Sequence, residues 1–214
     1  SDVYADGERV YAQAGALLSK TAAVACEASL TGMEFASSIP GTLGGALRMN
    51  AGAYGGEMKQ IVESAEVLTS EGEVLNLTNE ELGMGYRTSV IAKNDYVALS
   101  AVLKLEKGDR QEIRAYMEDL KERRVTKQPL EFGSAGSTFK RPEGYFAGKL
   151  IQDSGMQGYR VGDAQVSEKH CGFVINRGNA TAAEVMQLMK DVADRVEEKF
   201  GVRLEPEVRR IGEF

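Results

Sequence analysis

The sequence predicts an α+β fold, in which strand pairs and capped helices occupy separate stretches of the chain. Residues 3–14 and 67–77 are apolar stretches interrupted by a glycine-containing turn, which is typical of β-hairpins. Residues 181–201 place apolar side chains at helical spacing between a start signal and a stop signal. With 214 residues, 43% of them hydrophobic, the chain can bury a core of one or two domains.

The chain begins with the hairpin that turns at Asp6-Gly7, and a helix follows it. Small and apolar residues recur at helical spacing until Leu30-Thr-Gly32 ends the pattern. The alanine face of this helix suits close packing on a sheet. The recurring residues are Leu17, Leu18, Ala22, Ala25 and Ala28.

Residues 39–57, the glycine segment, come next and are rich in glycine. Glycine permits positive φ and removes side chains, so the backbone N–H groups of such a loop can converge on an anion such as a pyrophosphate. The segment has neither the Gly-Lys-Ser/Thr of a nucleoside-triphosphate loop nor the Gly-x-Gly-x-x-Gly of a Rossmann turn. Glycine content alone favours a ligand-binding loop and tight packing about equally.

Residues 61–129 predict a hairpin, a short helix, a strand and a long helix. The hairpin turns at Glu71-Gly-Glu73, and Thr78-x-x-Glu81 has the form of a capping box for the short helix. Asp109-x-x-Glu112 starts the long helix, and Pro129 follows its end, so we place a domain boundary there. The strand between these helices is half-buried, and its alternating apolar residues are Val97, Leu99, Ala101, Leu103 and Leu105.

The last part of the chain predicts a short helix over residues 147–153, an apolar strand that ends at Asn176, and the longest helix. Thr181-x-x-Glu184 is a capping box for that helix, and Gly201 is its stop signal. Its apolar face consists of Val185, Leu188, Met189, Val192, Val196 and Phe200.

Charge and composition exclude several kinds of partner. The net charge of −6, from 26 basic and 32 acidic residues, argues against a general nucleic-acid binder. No apolar run approaches the roughly 20 residues that span a bilayer, and no signal-peptide pattern is present, so we expect a cytoplasmic protein with no membrane partner. Cys26 and Cys171 lie far apart, so we expect reduced cysteines and no metal site.

Four short motifs occur along the chain in a distinctive order. The glycine segment contains Ile39-Pro-Gly-x-x-Gly-Gly followed by Asn50-Ala-Gly-Ala-Tyr-Gly. Downstream lie Tyr86-Arg-x-Ser, Gly133-x-x-Gly-Ser-x-Phe-Lys and Leu204-Glu-Pro-Glu-Val-Arg. In this order the motifs resemble the UDP-N-acetylenolpyruvoylglucosamine reductase family, MurB, over nearly the whole chain.

The resemblance implies a domain organisation. Residues 1–128 are expected to form the second lobe of a FAD-binding fold of the vanillyl-alcohol-oxidase kind, and residues 129–203 a MurB-type substrate-binding α+β domain. Residues 204–214 are expected to form a strand that returns toward the flavin domain. The family's first flavin-binding lobe, with its Gly-x-Gly-Ser-Asn-x-Leu motif, has no counterpart in the sequence. We therefore expect a chain that begins inside the second lobe.

The resemblance also implies the cofactors FAD and NADPH. In the family, the glycine segment wraps the FAD diphosphate with main-chain amides. The expected flavin contacts are Gly41, Thr42, Gly44, Gly45, Asn50, Ala51 and Gly52.

Three residues are expected to be catalytic because they match the family's motifs. Arg87 corresponds to an arginine beside the substrate carboxylate, Ser137 to the serine that donates a proton, and Glu207 to an acidic residue that acts on the developing charge. Without the family, each has an ordinary interpretation: a surface arginine, a turn serine and a solvated glutamate. Ser134 and Glu205 keep that ordinary interpretation.

Four further residues are expected to bind the substrate, a UDP-sugar. Arg124 and Lys127 stand at the spacing of the family's basic substrate contacts, and a solvated helix end is the alternative explanation without the family. Tyr86 lies in the Tyr-Arg-x-Ser motif, and His170 lies in Ser-Glu-Lys-His-x-Gly-Phe, which resembles the shorter second type of MurB. Arg141 departs from the family, because many members have asparagine there.

The resemblance implies an enzyme that uses NADPH and FAD to reduce UDP-N-acetylglucosamine enolpyruvate to UDP-N-acetylmuramate, an intermediate of peptidoglycan synthesis. We expect a monomer when the protein is complete, and an inactive protein when the first lobe is missing. Two alternatives stay open: a related FAD-linked oxidoreductase with another substrate, and a catalytically silent fragment that keeps only a binding surface.

Overall fold

The computed structural model describes residues 2–212, which fall into two compact units within Ser1–Arg124 and Val125–Phe214. Each unit has its own buried apolar core. The expected domain ranges 1–128, 129–203 and 204–214 remain predictions, and their members Ser1, Glu213 and Phe214 lie outside the described residues.

The first unit is built on a five-stranded antiparallel sheet with strand order β1-β2-β8-β6-β7. Both expected hairpins are present, one as β1 and β2 and the other as β6 and β7. The elements are β1 Val3–Asp6, β2 Arg9–Gln13, α1 Leu18–Glu27, β3 Leu30–Thr31, α2 Leu43–Met49, β4 Gly52–Ala53, β5 Gly56–Glu57, β6 Val62–Leu68, β7 Val74–Thr78, α3 Val90–Lys93, β8 Val97–Lys104, β9 Glu106–Lys107 and α4 Arg110–Lys127, with 3₁₀ turns at Glu34–Ala36 and Met58–Gln60.

A β-bulge changes which side chains of β8 reach the core. Glu66 pairs with Ser100 but Val67 pairs with Ala98, so β8 holds one extra residue, Leu99, between these pairs. The extra residue reverses the alternation of faces beyond it, so that Ala98 packs against the core while Leu99 is exposed. The expectation that Leu99 and Val97 share the buried face of Ala101 and Leu103 is therefore wrong.

The short helix expected after Thr78 does not form. The capping contacts are present, because the carboxylate of Glu81 accepts hydrogen bonds from both the N–H and the hydroxyl of Thr78. The Leu82 N–H donates to the Thr78 carbonyl at 3.0 Å, which completes a single turn. Gly83 then adopts a φ of +51° and ends it, so that Met84 enters the core.

The second unit combines a four-stranded antiparallel sheet of order β10-β13-β12-β11 with two helices. The expected capping box of α6 forms, with Thr181 accepting from the Glu184 N–H, and Gly201 ends the helix with a φ of +66°. The elements are β10 Gly133–Ser137, α5 Ala147–Asp153, β11 Arg160–Val161, β12 Ala164–Val166, β13 Phe173–Asn176 and α6 Ala182–Phe200.

Cys26 and Cys171 are buried free thiols, and burial raises the pKa of Cys171. Within residues 2–212, none of the helices has the length and apolar character needed to cross a bilayer. The same residues include no group of three or more His, Cys, Asp or Glu side chains placed to hold a metal ion.

Candidate active site

The glycine segment contains a short helix where a loop was expected. Thr42 precedes α2 (Leu43–Met49), and its side chain accepts a hydrogen bond from the Gly45 N–H at 3.5 Å. Leu43 and Leu47 are fully buried, so packing offsets the low helix propensity of the two glycines inside this helix.

The glycines of this segment fall into two groups. A Cβ on Gly44 would lie 3.0 Å from the Cβ of Ala14, and a Cβ on Gly56 would lie 2.5 Å from the ring of Phe35. These two glycines are explained by close packing. Gly41 has a φ of +134° and no heavy atom within 4 Å of its would-be Cβ, so close packing does not explain this glycine.

Several N–H groups expected to face the flavin donate inside the chain instead. The Gly44 N–H donates to the Ala14 carbonyl at 2.8 Å, and the Ala51 N–H donates to the Ala46 carbonyl at 2.9 Å. Flavin contacts by these two residues must therefore use other atoms. The assignments stay predictions for all seven residues: Gly41, Thr42, Gly44, Gly45, Asn50, Ala51 and Gly52.

Tyr86 and Arg87 form the tip of a tight turn. Gly85 and Thr88 close it, since the N–H of each donates to the carbonyl of the other at 3.0 and 3.2 Å. Arg87 has a φ of +55°, a left-handed backbone that non-glycine residues rarely adopt and that costs about 1–3 kcal/mol. Its guanidinium carbon lies 5.6 Å from the ring centroid of Tyr86, which is within cation–π range.

Arg124, the basic residue expected near the end of α4, lies in the first unit. Its Nη1 donates to the Ser38 carbonyl at 2.5 Å. Because Ser38 directly precedes the glycine segment, this bond fixes the entry to the segment. The substrate contact expected for Arg124 stays a prediction.

In the second unit, Ser137 is exposed at the end of β10. The register with β13 shifts between Ser134 and Ser137, and Gly136 has a φ of +84°. The next residue, Thr138, is buried, and its hydroxyl accepts from the Val174 N–H at 2.9 Å. The irregular register therefore turns the serine outward and the threonine inward.

The segment after α6 runs antiparallel to the residues that follow Ser137. Phe139 and Pro206 form an isolated bridge, and the Glu207 N–H donates to the Thr138 carbonyl at 2.9 Å. The structure thus brings the backbone of Glu207 beside the residue after Ser137. Whether this segment returns toward the flavin-binding part stays a prediction.

The neutral ring of His170 is held in one tautomer. Its Nδ1 accepts a hydrogen bond from the Gly172 N–H at 3.0 Å, so the proton of the neutral ring lies on Nε2. Burial lowers the pKa of His170, and the positive charge of Lys127 lowers it further. In its neutral form, His170 is therefore an Nε2–H donor, and Lys127 lies close enough to influence its charge.

Sequence reasoning missed the residues that make room for this ring. A Cβ on Gly172 would lie 2.9 Å from Cε1 of His170, and a Cβ on Gly148 would lie 3.4 Å from the same atom. Gly172 belongs to the His-x-Gly motif and could have been noticed. Gly148 lies on α5, and no local pattern links it to His170.

The residues expected to be catalytic belong to different units, with Arg87 in the first and both Ser137 and Glu207 in the second. A family model described as FAD binding domain matches residues 2–78. A second model, described as UDP-N-acetylenolpyruvoylglucosamine reductase, C-terminal domain, matches residues 128–211. The chain therefore belongs to the class of proteins in which a FAD-binding domain is followed along the sequence by this C-terminal domain.

Individual relatives identify the family. The chain is 61% identical over 213 residues to the UDP-N-acetylenolpyruvoylglucosamine reductase of Alkaliphilus oremlandii, covering 100% of the chain and 70% of the relative. It is 59% identical to that of Agathobacter rectalis, covering 96% of the chain and 65% of the relative. The chain belongs to the UDP-N-acetylenolpyruvoylglucosamine reductase family, and the expected α+β fold class is confirmed.

A solved structure agrees with this assignment. The crystal structure of the reductase MurB from Thermus caldophilus superposes with a TM-score of 0.80 at 38% identity, covering 93% of this chain and 71% of that chain. Against these three proteins, the chain spans between 65% and 71% of the relative's length.

Proposed function

We propose that this chain supplies the flavin-facing and substrate-binding parts of a cytoplasmic, NADPH-dependent reductase of peptidoglycan precursor synthesis. The reaction converts UDP-N-acetylglucosamine enolpyruvate to UDP-N-acetylmuramate. One observation carries the proposal: the whole chain aligns, at 61% identity, with a protein of that family name.

Two glycines of the first unit leave room beside their backbone, which supports a diphosphate contact there. Gly41 has open space where a side chain would lie, and a Cβ on Gly45 would meet only Oγ1 of Thr42, at 3.8 Å. We propose that these three residues face the FAD diphosphate. When bound, FAD carries hydride from NADPH to the substrate.

Arg87 would hold the carboxylate of the enolpyruvyl group. A guanidinium stays charged at any working pH and can donate two parallel hydrogen bonds to a carboxylate. Negative charge grows on that group when hydride reaches the neighbouring carbon, so a fixed cation there stabilises the transition state more than the ground state.

Ser137 would donate its hydroxyl proton to the substrate carbon that becomes carbanion-like, and a centre so basic can take a proton even from a hydroxyl. Its exposed position on β10 leaves the hydroxyl accessible. Glu207, whose backbone is bonded to Thr138, would act on the same developing charge. Tyr86, Arg124, Lys127 and His170 would bind the UDP-sugar.

The test uses an extended form, in which the family's first flavin-binding lobe precedes this chain. We expect it to hold FAD, to be reduced once by NADPH, and to turn over NADPH continuously only when the enolpyruvyl substrate is present, as followed by absorbance. A flavoprotein that ignores this substrate would instead be a related oxidoreductase, and a protein that binds the UDP-sugar without flavin would be a binding module.

A further inference from the structure

The side chain of Asn50 is committed to contacts inside the first unit. It is 3% exposed. Its Nδ2 donates to the Gly85 carbonyl at 3.1 Å and to Oε2 of Glu57 at 2.9 Å, and its Oδ1 accepts from the Lys59 N–H at 2.9 Å. A carboxamide has two N–H donors, so both are used here.

Asn50 directly follows the end of α2, and a second buried side chain bonds to the same helix end. Ser89 is fully buried, and its hydroxyl donates to the Arg48 carbonyl at 2.8 Å. Arg48 lies in the last turn of α2, where carbonyl groups have no partner within the helix. Ser89 therefore satisfies one of these carbonyls.

These two contacts hold the Arg87 turn on both sides. Asn50 donates a hydrogen bond to Gly85, the first residue of the turn, and Ser89 directly follows Thr88, the last residue of the turn. Arg87 lies between them with its left-handed backbone. Such a backbone persists only where the surrounding contacts over-determine it.

We propose that Asn50 and Ser89 are positioning residues, which clamp the turn to the end of α2 and so fix the direction of Arg87. Asn50 acts through Gly85 and makes no side-chain contact with the flavin. The clamp joins the glycine segment to the turn that carries Arg87. It therefore holds the residues proposed to face FAD and the guanidinium proposed to bind the substrate carboxylate at a fixed distance and orientation. This inference rests on the role proposed above for Arg87.

The test compares Asn50→Ala and Ser89→Ala in the extended form with two matched controls. Asn79→Ala removes a carboxamide that donates to the carbonyls of Lys59 and Val62. Ser154→Ala removes a buried hydroxyl that donates to the Ile151 carbonyl at 2.8 Å, close to a helix end in the second unit. The two half-reactions are followed separately by rapid mixing.

Both clamp variants should slow reoxidation of the flavin by substrate roughly 10- to 100-fold, because small misplacement of a catalytic group is costly. FAD content and reduction by NADPH should match those of the controls. Once Arg87→Ala is present, adding either clamp substitution should change the rate little, since coupled residues are not additive. Loss of FAD in Asn50→Ala alone would make it a flavin contact and overturn the proposal, as would additive effects with Arg87→Ala.

A second measurement does not depend on activity. Amide hydrogen exchange of this 214-residue chain should be about fivefold faster or more in the turn of either clamp variant, and unchanged there in the controls. Unchanged exchange overturns the clamp, even if the extended form reduces the substrate. Faster exchange supports the clamp even if the proposed reaction fails. If Asn50→Ala does not fold, as judged by circular dichroism, Ser89→Ala decides.

Discussion

The packed glycines of the glycine segment and the glycines of the serine segment, residues 133–137, have opposite surroundings. In the glycine segment, Gly44 and Gly56 are pressed against other parts of the first unit, where a Cβ would meet atoms at 3.0 and 2.5 Å. In the serine segment, Gly133 and Gly136 would both place a Cβ in open space. Glycine-rich motifs of one family can therefore serve packing in one place and backbone shape in another.

The difference matters for function because it separates two ways of building a site. In the glycine segment, Leu43 and Leu47 are buried, and the N–H groups of Gly44 and Ala51 are already bonded inside the chain. The serine segment is fixed by a change of register that leaves Ser137 outside. We expect substitution of the packed glycines Gly44 and Gly56 to affect chiefly stability, and substitution of Ser137 to affect chiefly chemistry.

The largest effect should come from Ser137→Ala in the extended form. Loss of a general acid typically costs about 10²-fold or more, so reoxidation of the flavin by substrate should slow by that factor, whereas reduction by NADPH stays nearly unchanged. Ser134→Ala is the control, because the Ser134 hydroxyl accepts from the Gly136 N–H within its own strand. Equal slowing in both variants would remove Ser137 from this role.

Gly56→Ala should test the packing side of the comparison. Its Cβ would lie 2.5 Å from the Phe35 ring, so we expect a loss of about 1–3 kcal/mol in the free energy of unfolding by urea. Gly133→Ala adds a methyl group to open space and should be neutral or slightly stabilising. Equal losses in the free energy of unfolding for Gly56→Ala and Gly133→Ala would show that close packing does not distinguish the two segments.

Substitution of Gly136 should measure the conformational free energy of a positive φ in the absence of a steric clash. Its φ of +84° is unfavourable for a residue with a Cβ, so Gly136→Ala should lose about 1–2 kcal/mol. Gly136→Asn should lose less, because asparagine tolerates the left-handed region better. Urea unfolding of both variants measures this, and equal losses would point to crowding instead.

The smallest effect should be a pH dependence of stability that arises from His170. Two close-packed glycines of the second unit lie beside its ring. Burial holds its folded-state pKa below the usual value of about 6.5, so the unfolded chain binds this proton more tightly. The contribution of His170 to stability is thus complete above about pH 6.5 and declines as pH falls toward the lowered pKa. The free energy of unfolding by urea is measured at each pH for the parent chain and for His170→Gln, and the difference between them isolates the contribution of His170. A difference that does not change with pH would contradict the lowered pKa.

Signals that lie close together in sequence predicted their elements well. The capping box at Thr181 and the stop at Gly201 set the bounds of α6, and the turn at Asp6-Gly7 set the first hairpin. The same kind of signal failed at Thr78, where the capping contacts formed but a glycine with positive φ ended the turn. The core position of Met84 outweighed the local helix signal.

Features that depend on distant partners could not be predicted. The bulge at Leu99 exists only in the register between β8 and β6, and α2 forms because Leu43 and Leu47 are buried. At the candidate site, the motifs supplied the residue types and their order. The bond from Asn50 to Gly85 joins residues 35 positions apart and has no local signature.

The strand order of the first unit also has a consequence for how the chain folds. The hairpins β1-β2 and β6-β7 are local in sequence, but β8 lies between them and pairs with both. During synthesis each hairpin can form as soon as its strands are made. The five-stranded sheet cannot be completed until residue 104, the last of β8, has emerged from the ribosome. Pulsed hydrogen exchange during refolding should therefore protect β2 and β6 fully only when β8 is protected. The strand that unites this sheet is the last of its five to be synthesised.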